Sequence, residues 1–409
     1  MSAQPATSPP LPMSAPLAKL FRRMLDELDQ CESSEWDTSE STLDPAIYSD
    51  PAIYRMEIDR IFRRVPLCLG HADQLREPGS MLARDLFGLP LLLVRDRQGE
   101  INVFLNVCRH RGTRLVPGLD AVCQQGTIAC PYHAWTYDLN GALRAVPKPE
   151  GFPTLDKSTR SLRRLPATVR HGLIWAIMDP LGDPPGDPAR DRRCSAIEVA
   201  DFLGGIDEDL AALDLGSHRF FRQHARKRAT NWKLVMDAFH EIYHIKRLHA
   251  QTIAPFFLDT QSAGEGVGRH TRILVGRDRL ADARHLPQQD WDLRRHATLT
   301  HAIFPNSLII YHPDSTSHLG MFPTAAGEIL FVHTMFIPHA PRSDKELAHY
   351  ERNFAMIDEG VFGAEDLLIS EQIQLGVQSG ANDSFLLGRF EHHLRRFHGH
   401  IEAMLHAEA

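Results

Sequence analysis

Two short segments of the sequence each pair one cysteine with one histidine. Cys108 and His110 lie in the stretch CRH, Cys130 and His133 lie in CPYH, and nineteen residues separate the two pairs. Thiolates and imidazoles bind soft and borderline metals, so two loops of this kind could converge on one metal centre. The first question is therefore which centre four such ligands would hold.

The mixed composition of the two pairs narrows the choice of metal centre. A Rieske 2Fe-2S cluster takes two Cys on one iron and two His on the other, as these pairs offer. A structural zinc site of two Cys and two His is the alternative, although such sites usually pair Cys with Cys at C-x2-C spacing. A coincidence of core cysteines and hydrogen-bonded histidines is the third interpretation, and the composition favours the Rieske cluster.

A second group of possible metal ligands lies in NWKLVMDAFHEIYHIKRLH, residues 231–249. His240, Glu241 and His244 fit HExxH, in which two histidines one helical turn apart bind zinc and the glutamate is the general base. His244 and His249 form a different pair. On a straight helix they would be about 140° apart, so the helix would have to end or bulge between them. The residues alone leave both interpretations open.

A mononuclear iron site for oxygen chemistry needs two histidines and one carboxylate on one face. Asp237 lies about 10 Å along a regular helix from His244, too far to share its metal. Glu241 is one turn from His244 and could touch it. Acids at the start of a late helix could bind the metal, or they could only stabilise the helix N-terminus. The candidate carboxylates are Asp237, Glu241, Glu365, Asp366 and Glu371.

Several of these segments resemble one protein family. RHRGTRL after the first cysteine and CPYHAWTYDLNG around the second pair are similar to the Rieske domain of aromatic-ring-hydroxylating oxygenase large (alpha) subunits. NWKL, an acidic residue, ExYH and a histidine five residues further on resemble the catalytic-iron segment of the same family. The resemblance covers about residues 43–400. It implies an α+β fold, with an all-β Rieske 2Fe-2S domain and a helix-grip catalytic domain of antiparallel sheet and helices.

The same resemblance implies a role for each candidate residue. Cys108, His110, Cys130 and His133 would ligate the cluster. His244, His249 and Asp366 would bind the mononuclear Fe(II), with the carboxylate supplied by the late acidic segment AEDLLISEQIQLG. Glu241 would take a catalytic role in electron transfer, because it would join His244 to His133 of the neighbouring subunit. Many relatives carry Asp at the position of Glu241.

The function implied by the resemblance is that of a terminal oxygenase component. It would use O2 and electrons from NADH or NADPH, delivered by a reductase directly or through a ferredoxin, to hydroxylate or dihydroxylate an organic, aromatic substrate. The first alternative is a monooxygenase or demethylase acting on a quaternary amine or steroid-like substrate. A zinc hydrolase built on HExxH is a remote alternative. The implied assembly is a homotrimer, alone or with a small beta subunit.

Composition excludes some partners. The chain has 409 residues and a net charge of −7, without the basic excess typical of nucleic-acid binding. No apolar run approaches the length of a membrane span, and the start lacks the pattern of a signal peptide. We therefore expect a cytoplasmic protein, in which six cysteines would not form a disulfide framework.

The elements that must position these ligands follow from hydrophobic periodicity. We expect a tail and linker over residues 1–42, the Rieske domain over 43–165 and the catalytic domain over 166–409. A hairpin is predicted around the turn at residues 96–99, and a continuous apolar helical pattern covers 229–248. A C-terminal helix carries four histidines, for which we predict a solvated face; these are His392, His393, His398 and His400.

Overall fold

The structure of the protein, a computed structural model, describes residues 13–30, 32–118, 121–179 and 198–407. Residues 1–12 of the predicted tail and linker lie outside this part of the chain. The chain divides into two compact units, one formed by residues 58–202 and one formed by residues 1–57 together with 203–409. No helix in the described ranges combines the length and the apolar character that crossing a membrane requires.

The unit of residues 58–202 is built from small antiparallel sheets. The predicted hairpin is confirmed, because Leu89–Arg95 pairs with Ile101–Leu105 on either side of the turn. Short helical turns connect the strands. The other strands in this unit are Leu67–His71, Ser80–Leu86, Val122–Gln124, Ile128–Ala129, Thr136–Tyr137, Leu143–Ala145, Ala167–Arg170 and Leu173–Ala176.

The second unit is built on a seven-stranded antiparallel sheet. Its strands are rich in Ile, Val, Leu, Phe and Thr, which suit a pleated surface covered by helices. In spatial order they are Arg219–Arg228, Glu328–Ile337, Thr316–Ala325, Ser307–Tyr311, Ala297–Ile303, His270–Arg277 and Phe257–Val267.

Helices precede, interrupt and follow these strands in the order of the chain. The mixed α+β class predicted from the sequence is therefore confirmed. The late acidic segment is one continuous helical stretch, in which wide turns over Met356–Asp366 lead directly into Leu367–Ser379. The other α-helices in this unit are Ala15–Asp26, Pro51–Glu57, Gly205–Ala212, Trp232–Ala238, Ile245–Leu248, Leu293–His296, Asp344–Ala355 and His392–His406.

The expectation of one continuous helix over residues 229–248 is wrong. The first helix ends at Ala238, and a separate short helix, Ile245–Leu248, lies between His244 and His249. The carboxylate of Glu241 accepts the backbone N–H groups of Tyr243 and His244, which a continuing helix would direct to carbonyls four residues earlier. This local hydrogen bonding shapes the turn that leads into Ile245–Leu248, beyond the end of the first helix at Ala238.

The compact units do not begin and end at the predicted boundaries of 42/43 and 165/166. Ser41–Leu43 pairs with Phe385–Leu387 near the other end of the chain, which draws residues before 58 into the second unit. Ala167–Arg170 pairs with Leu173–Ala176, which in turn pairs with Leu67–His71, so these strands extend the first unit past residue 165. Strand pairing, which the local sequence does not reveal, sets both boundaries.

The prediction of a solvated histidine face on the C-terminal helix is wrong. His393 and His398 are both 7% exposed. His398 Nε2 lies 2.8 Å from Asp237 Oδ1, and Tyr48 donates to the other oxygen of this carboxylate at 2.5 Å. His398 therefore helps to fix the first helix of the 231–249 segment, and His393 is buried rather than facing solvent.

A buried ion pair ties the same helix to the N-terminal segment. Lys233 Nζ lies 2.5 Å from Glu57 Oε1, and Trp232 Nε1 donates to Glu57 Oε2 at 2.8 Å. Both charged side chains are 1% exposed or less. Burial lowers the pKa of Lys233, and the charge of Glu57 acts against that shift. Removing one partner would leave a buried charge without compensation.

We expect Glu57→Gln to lower the free energy of unfolding of this unit by about 3–5 kcal/mol, because Lys233 then loses its counter-ion. Lys227→Gln is the matched control. It breaks a solvent-exposed pair with Glu328 and should cost less than about 1 kcal/mol. Calorimetric unfolding of both variants measures the difference. Equal effects would contradict the stabilising role of the buried pair.

Candidate metal centres and cavity

The first cysteine–histidine pair lies in a tight loop. The N–H of Gly112 donates to the carbonyl of Cys108 at 3.0 Å, and the N–H of Cys108 donates to the carbonyl of Thr113 at 2.8 Å. Gly112 has a φ of +80°, a conformation that glycine adopts without a steric penalty. The loop therefore closes on its own backbone and leaves the two side chains free to turn to one side.

The second pair repeats this loop. The N–H of Ala134 donates to the carbonyl of Cys130 at 3.0 Å, and the N–H of Cys130 donates to the carbonyl of Trp135 at 2.8 Å. Ala134 also has a positive φ, +54°. Two separate segments thus adopt the same turn around a cysteine, with a histidine two or three residues further on in each.

The two loops bring the predicted ligands together. His110 Nδ1 lies 3.1 Å from His133 Nδ1, and Cys108 and Cys130 belong to one buried cluster, each 3% exposed. The hydroxyl of Tyr137 lies 3.4 Å from Cys108 Sγ. Burial raises the pKa of the Cys108 thiol, and the neighbouring Cys130 adds to that effect. Two sulfur and two nitrogen donors of this kind fit a Rieske cluster.

The second constellation joins His244, His249 and Asp366. His249 Nε2 lies 3.2 Å and His244 Nε2 lies 3.9 Å from Asp366 Oδ1, and the three ligand atoms are all within 4.8 Å of one another. Asp366 Oδ1 is buried and receives no hydrogen bond of acceptable geometry. A buried carboxylate oxygen without a donor is costly in an apolar surrounding. Two histidines and one carboxylate of this kind fit a mononuclear iron.

A carboxylate lies behind each of these histidines. Glu241 hydrogen-bonds to His244 Nδ1, and Glu365 Oε2 lies 2.7 Å from His249 Nδ1 and accepts from Thr252 at 2.7 Å. Burial acts to lower the pKa of both rings. The neighbouring acids outweigh burial, Glu241 at His244 and Asp366 with Glu365 at His249, so the pKa of each ring is raised overall. The acids therefore favour positive charge here and orient both Nε2 atoms toward Asp366.

The remaining candidates from the sequence lie elsewhere. His240 does not belong to the group of His244, His249 and Asp366. Its Nδ1 lies 2.8 Å from the carbonyl of Met236, and its ring stacks on Phe397. Burial lowers the pKa of His240 to about 4. The HExxH zinc interpretation is therefore wrong: the helix that would align His240 with His244 ends before either residue. Glu371 pairs with Arg228 at 2.9 Å and is not a ligand candidate.

The His244, His249 and Asp366 group opens on a cavity of about 290 Å³. One wall is the central sheet, whose alternating residues point to the same side. The opposite walls come from the 238–253 segment and the late helical stretch. Most of the lining is aliphatic or aromatic, including Phe239, Ile242, Ile245, Ile253, Phe257, Ile273, Val275, Ile310, Val361 and Phe362. Such a lining suits an organic molecule and excludes water from the reacting centre.

Comparison with known proteins places this architecture in a family. Residues 65–157 match the family model of the Rieske [2Fe-2S] domain, and residues 215–407 match that of the ring hydroxylating alpha subunit (catalytic domain). Together the two models cover well over half of the chain. The chain belongs to the alpha subunits of Rieske non-heme iron oxygenases, the aromatic-ring-hydroxylating oxygenase family. Its cofactors are accordingly a 2Fe-2S Rieske cluster and a mononuclear iron.

The relatives include alpha subunits of aromatic dioxygenases and oxygenase subunits of quaternary-amine monooxygenases. Chlorobenzene dioxygenase subunit alpha of Cupriavidus sp. is 41% identical over 33% of this chain and 30% of its own length. The glycine betaine monooxygenase oxygenase subunit of Chromohalobacter salexigens is 30% identical over 62% of this chain and 53% of its own. The matched region thus spans about a third to a half of the length of such curated relatives.

Solved structures share the fold. A quaternary ammonium Rieske monooxygenase in complex with L-carnitine superposes with a TM-score of 0.73 at 21% identity, over 90% of this chain and 96% of that one. Naphthalene 1,2-dioxygenase from Rhodococcus sp. gives 0.73 at 19% identity, over 97% and 100%. At this level of identity the likeness concerns the fold, an all-β Rieske domain and a catalytic domain of antiparallel sheet and helices.

Sequence reasoning missed two features of the site. Glu365 was only a candidate ligand, whereas it contacts the back of the His249 ring. The sequence did contain a sign of this role. Glu365 directly precedes Asp366 on a helix, and adjacent helical residues point in different directions, so both could not bind one metal in the same way. Arg277 and His312 in the cavity wall gave no signal, since each is a polar residue at or just beyond the end of an apolar strand.

We expect Glu365→Gln to weaken iron binding at His249 by about 10- to 100-fold, because an amide supports the ring less well than a carboxylate. Glu359→Gln, an exposed acid on the same helical stretch, is the matched control and should leave iron affinity unchanged. Iron retention during dialysis against a chelator, with the Rieske absorption as internal reference, measures the effect. Equal retention in both variants would argue against this role of Glu365.

Proposed function

We propose that this protein is the terminal oxygenase component of a Rieske oxygenase system. It hydroxylates or dihydroxylates an organic, aromatic substrate with O2 and electrons from NADH or NADPH. The observation that carries the proposal is that His244, His249 and Asp366 meet beside an apolar cavity. An oxygen-activating metal site and a dry organic pocket are thereby combined in one place.

The chain's own residues divide the work between two centres. Cys108, His110, Cys130 and His133 hold the cluster, and a second set, His244, His249 and Asp366, holds the iron. When bound, the cluster supplies single electrons and the iron supplies the activation of O2. Glu241 and Glu365 keep the ring nitrogens in the orientation needed for metal binding.

We infer that Glu241 also has a role between subunits. By similarity to the family, it joins His244 to His133 of the neighbouring subunit. The Glu241 carboxylate is bonded to His244 and to two backbone N–H groups, yet its two oxygens offer about four acceptor sites.

We infer a homotrimer, with or without a small beta subunit, served by a reductase and in some arrangements a ferredoxin. We also propose a cytoplasmic location, where thiol ligands stay reduced.

A second candidate function is monooxygenation or demethylation of a quaternary amine. It is favoured by relatives that match over more of the chain, such as the choline monooxygenase of Amaranthus tricolor, 26% identical over 88% of this chain and 76% of its own. The cavity wall contains carboxylates that could face a cation, Glu241, Asp314 and Asp366. Against this, the described cavity lining has no Trp or Tyr, the best aromatic faces for a quaternary ammonium.

The experiment that tests the proposal combines spectroscopy with turnover. Reduction with dithionite should produce a rhombic Rieske EPR signal, and iron analysis should give about three irons per chain. With a reductase, NADH and 18O2, mass spectrometry then distinguishes labelled arene products from demethylated amines. A folded, iron-containing protein without the rhombic signal would refute the oxygenase proposal.

Asp366→Ala should abolish product formation and leave the Rieske signal intact, because it removes one ligand from the iron and none from the cluster. Glu359→Gln again serves as the control and should keep full turnover. Loss of the cluster signal in Asp366→Ala, with the control unchanged, would show that the two ligand sets are not separate.

A further inference from the structure

The cavity wall contains one strongly basic side chain. Among its described lining residues, Arg277 is the only lysine or arginine. It follows Ile273 and Val275 at every second position of one strand, so all three belong to the same face of the sheet. The strand thus changes from apolar to cationic toward one end of the cavity.

Arg277 has few partners for a partly buried guanidinium. Its Nη1 lies 3.4 Å from Thr298 Oγ1, and its guanidinium carbon lies 5.4 Å and 5.9 Å from the rings of Phe257 and Phe256. No carboxylate in the described part of the chain forms an ion pair with it, and Asp278 is the charge that acts on it. Burial lowers the pKa of Arg277, and the exposed Asp278 only acts against this shift. A cation in this setting normally has an anionic partner.

The carboxylate at the same end of the cavity is already engaged. Asp314 accepts from the Asn353 amide at 3.0 Å and is bonded to His349 Nε2. Asp314 also interacts with the charge of Arg294: burial lowers the pKa of Arg294, and Asp314 acts against that shift. Asp314 therefore does not balance the charge of Arg277.

The histidine at this end is neutral. Burial lowers the pKa of His312 to about 4, and Arg277 acts in the same direction. His312 Nε2 lies 3.0 Å from Ser317 Oγ, which lies 2.9 Å from His333 Nε2, while His333 Nδ1 donates to Asp358 at 2.9 Å.

This hydrogen-bonded chain fixes the proton positions. Because the carboxylate of Asp358 only accepts, His333 carries its proton on Nδ1 and accepts from Ser317 at Nε2. The hydroxyl oxygen of Ser317 then accepts from His312 Nε2–H. His312 accordingly adds no charge, and Arg277 is the unbalanced charge at this end of the cavity.

We infer that Arg277 binds a carboxylate group of the substrate, so that the substrate is an organic acid. The planar guanidinium can donate two parallel hydrogen bonds to a carboxylate, which fixes orientation as well as charge. The apolar body of the acid then lies against Ile273, Val275 and Ile310 of the same sheet. This inference rests on the proposed function, because it assigns the substrate class of the same cavity.

Binding measurements without turnover test the inference. The probes are acids paired with their neutral amides, benzoate with benzamide and 3-phenylpropionate with 3-phenylpropanamide. We expect at least one acid to bind the iron-loaded wild-type protein about 10- to 100-fold more tightly than its amide, measured by isothermal titration calorimetry. Arg277→Gln should remove this preference and leave amide binding unchanged.

The matched control is Arg279→Gln, which removes the same charge from an exposed position two residues away. It should keep the preference for the acid, and Arg277→Lys should keep part of it. If no acid binds more tightly than its amide, or if Arg279→Gln has the same effect as Arg277→Gln, the inference is overturned. Should Arg277→Gln not fold, Arg277→Lys decides, because it keeps the positive charge but loses the planar fork and should therefore show a weaker preference for the acid than the wild-type protein. No electrons are supplied, so a failure of oxygenase turnover does not affect these outcomes.

Discussion

The candidate iron centre depends on charged and ionisable side chains that are far apart in the chain and lie together in the fold. His244 and His249 come from a short broken helix, and Asp366 comes from the late helical stretch. Each histidine also contacts an acid on its other nitrogen, so that three carboxylates surround two imidazoles in a largely buried place. Such an excess of negative charge is costly without a cation, and a divalent metal balances it. The break in the helix and the cavity wall both serve to assemble this set of ligands.

The candidate ligands could be found in the sequence because few residue types bind iron, and the resemblance to the oxygenase family selected among them. The pairs Cys108 with His110 and Cys130 with His133 reach one place through two identical turns, as the pattern suggested. The choice between His240 and His249 as partner of His244 could not be made from periodicity. It depends on the end of the first helix at Ala238 and on the Glu241 carboxylate, which accepts two backbone N–H groups in the turn that follows; a helical pattern contains neither feature.

The polar end of the cavity was beyond prediction for a different reason. Arg277, His312 and Asp314 lie at or beyond the ends of apolar strands, where polar residues usually mark the transition to solvent. Only the register of the sheet and the helices above it show that these positions face a cavity. The pairing that sets the unit boundaries has the same character, since Ser41–Leu43 finds its partner near residue 386. Contacts between residues distant in sequence leave little trace in composition or periodicity.

The order of the chain has a consequence for synthesis on the ribosome. Residues 58–202 form a compact unit inserted between two parts of the other unit. Folding proceeds from the N-terminus as the chain emerges, and domains generally fold as units. The inserted unit can therefore complete its sheets while residues 13–57 still lack the strands and helices on which they pack. Apolar side chains of the first helix, such as Phe21 and Met24, must remain uncovered until the second half has been made. The inserted unit is thus expected to be the earliest structured part of a nascent chain, and the N-terminal segment among the last to dock.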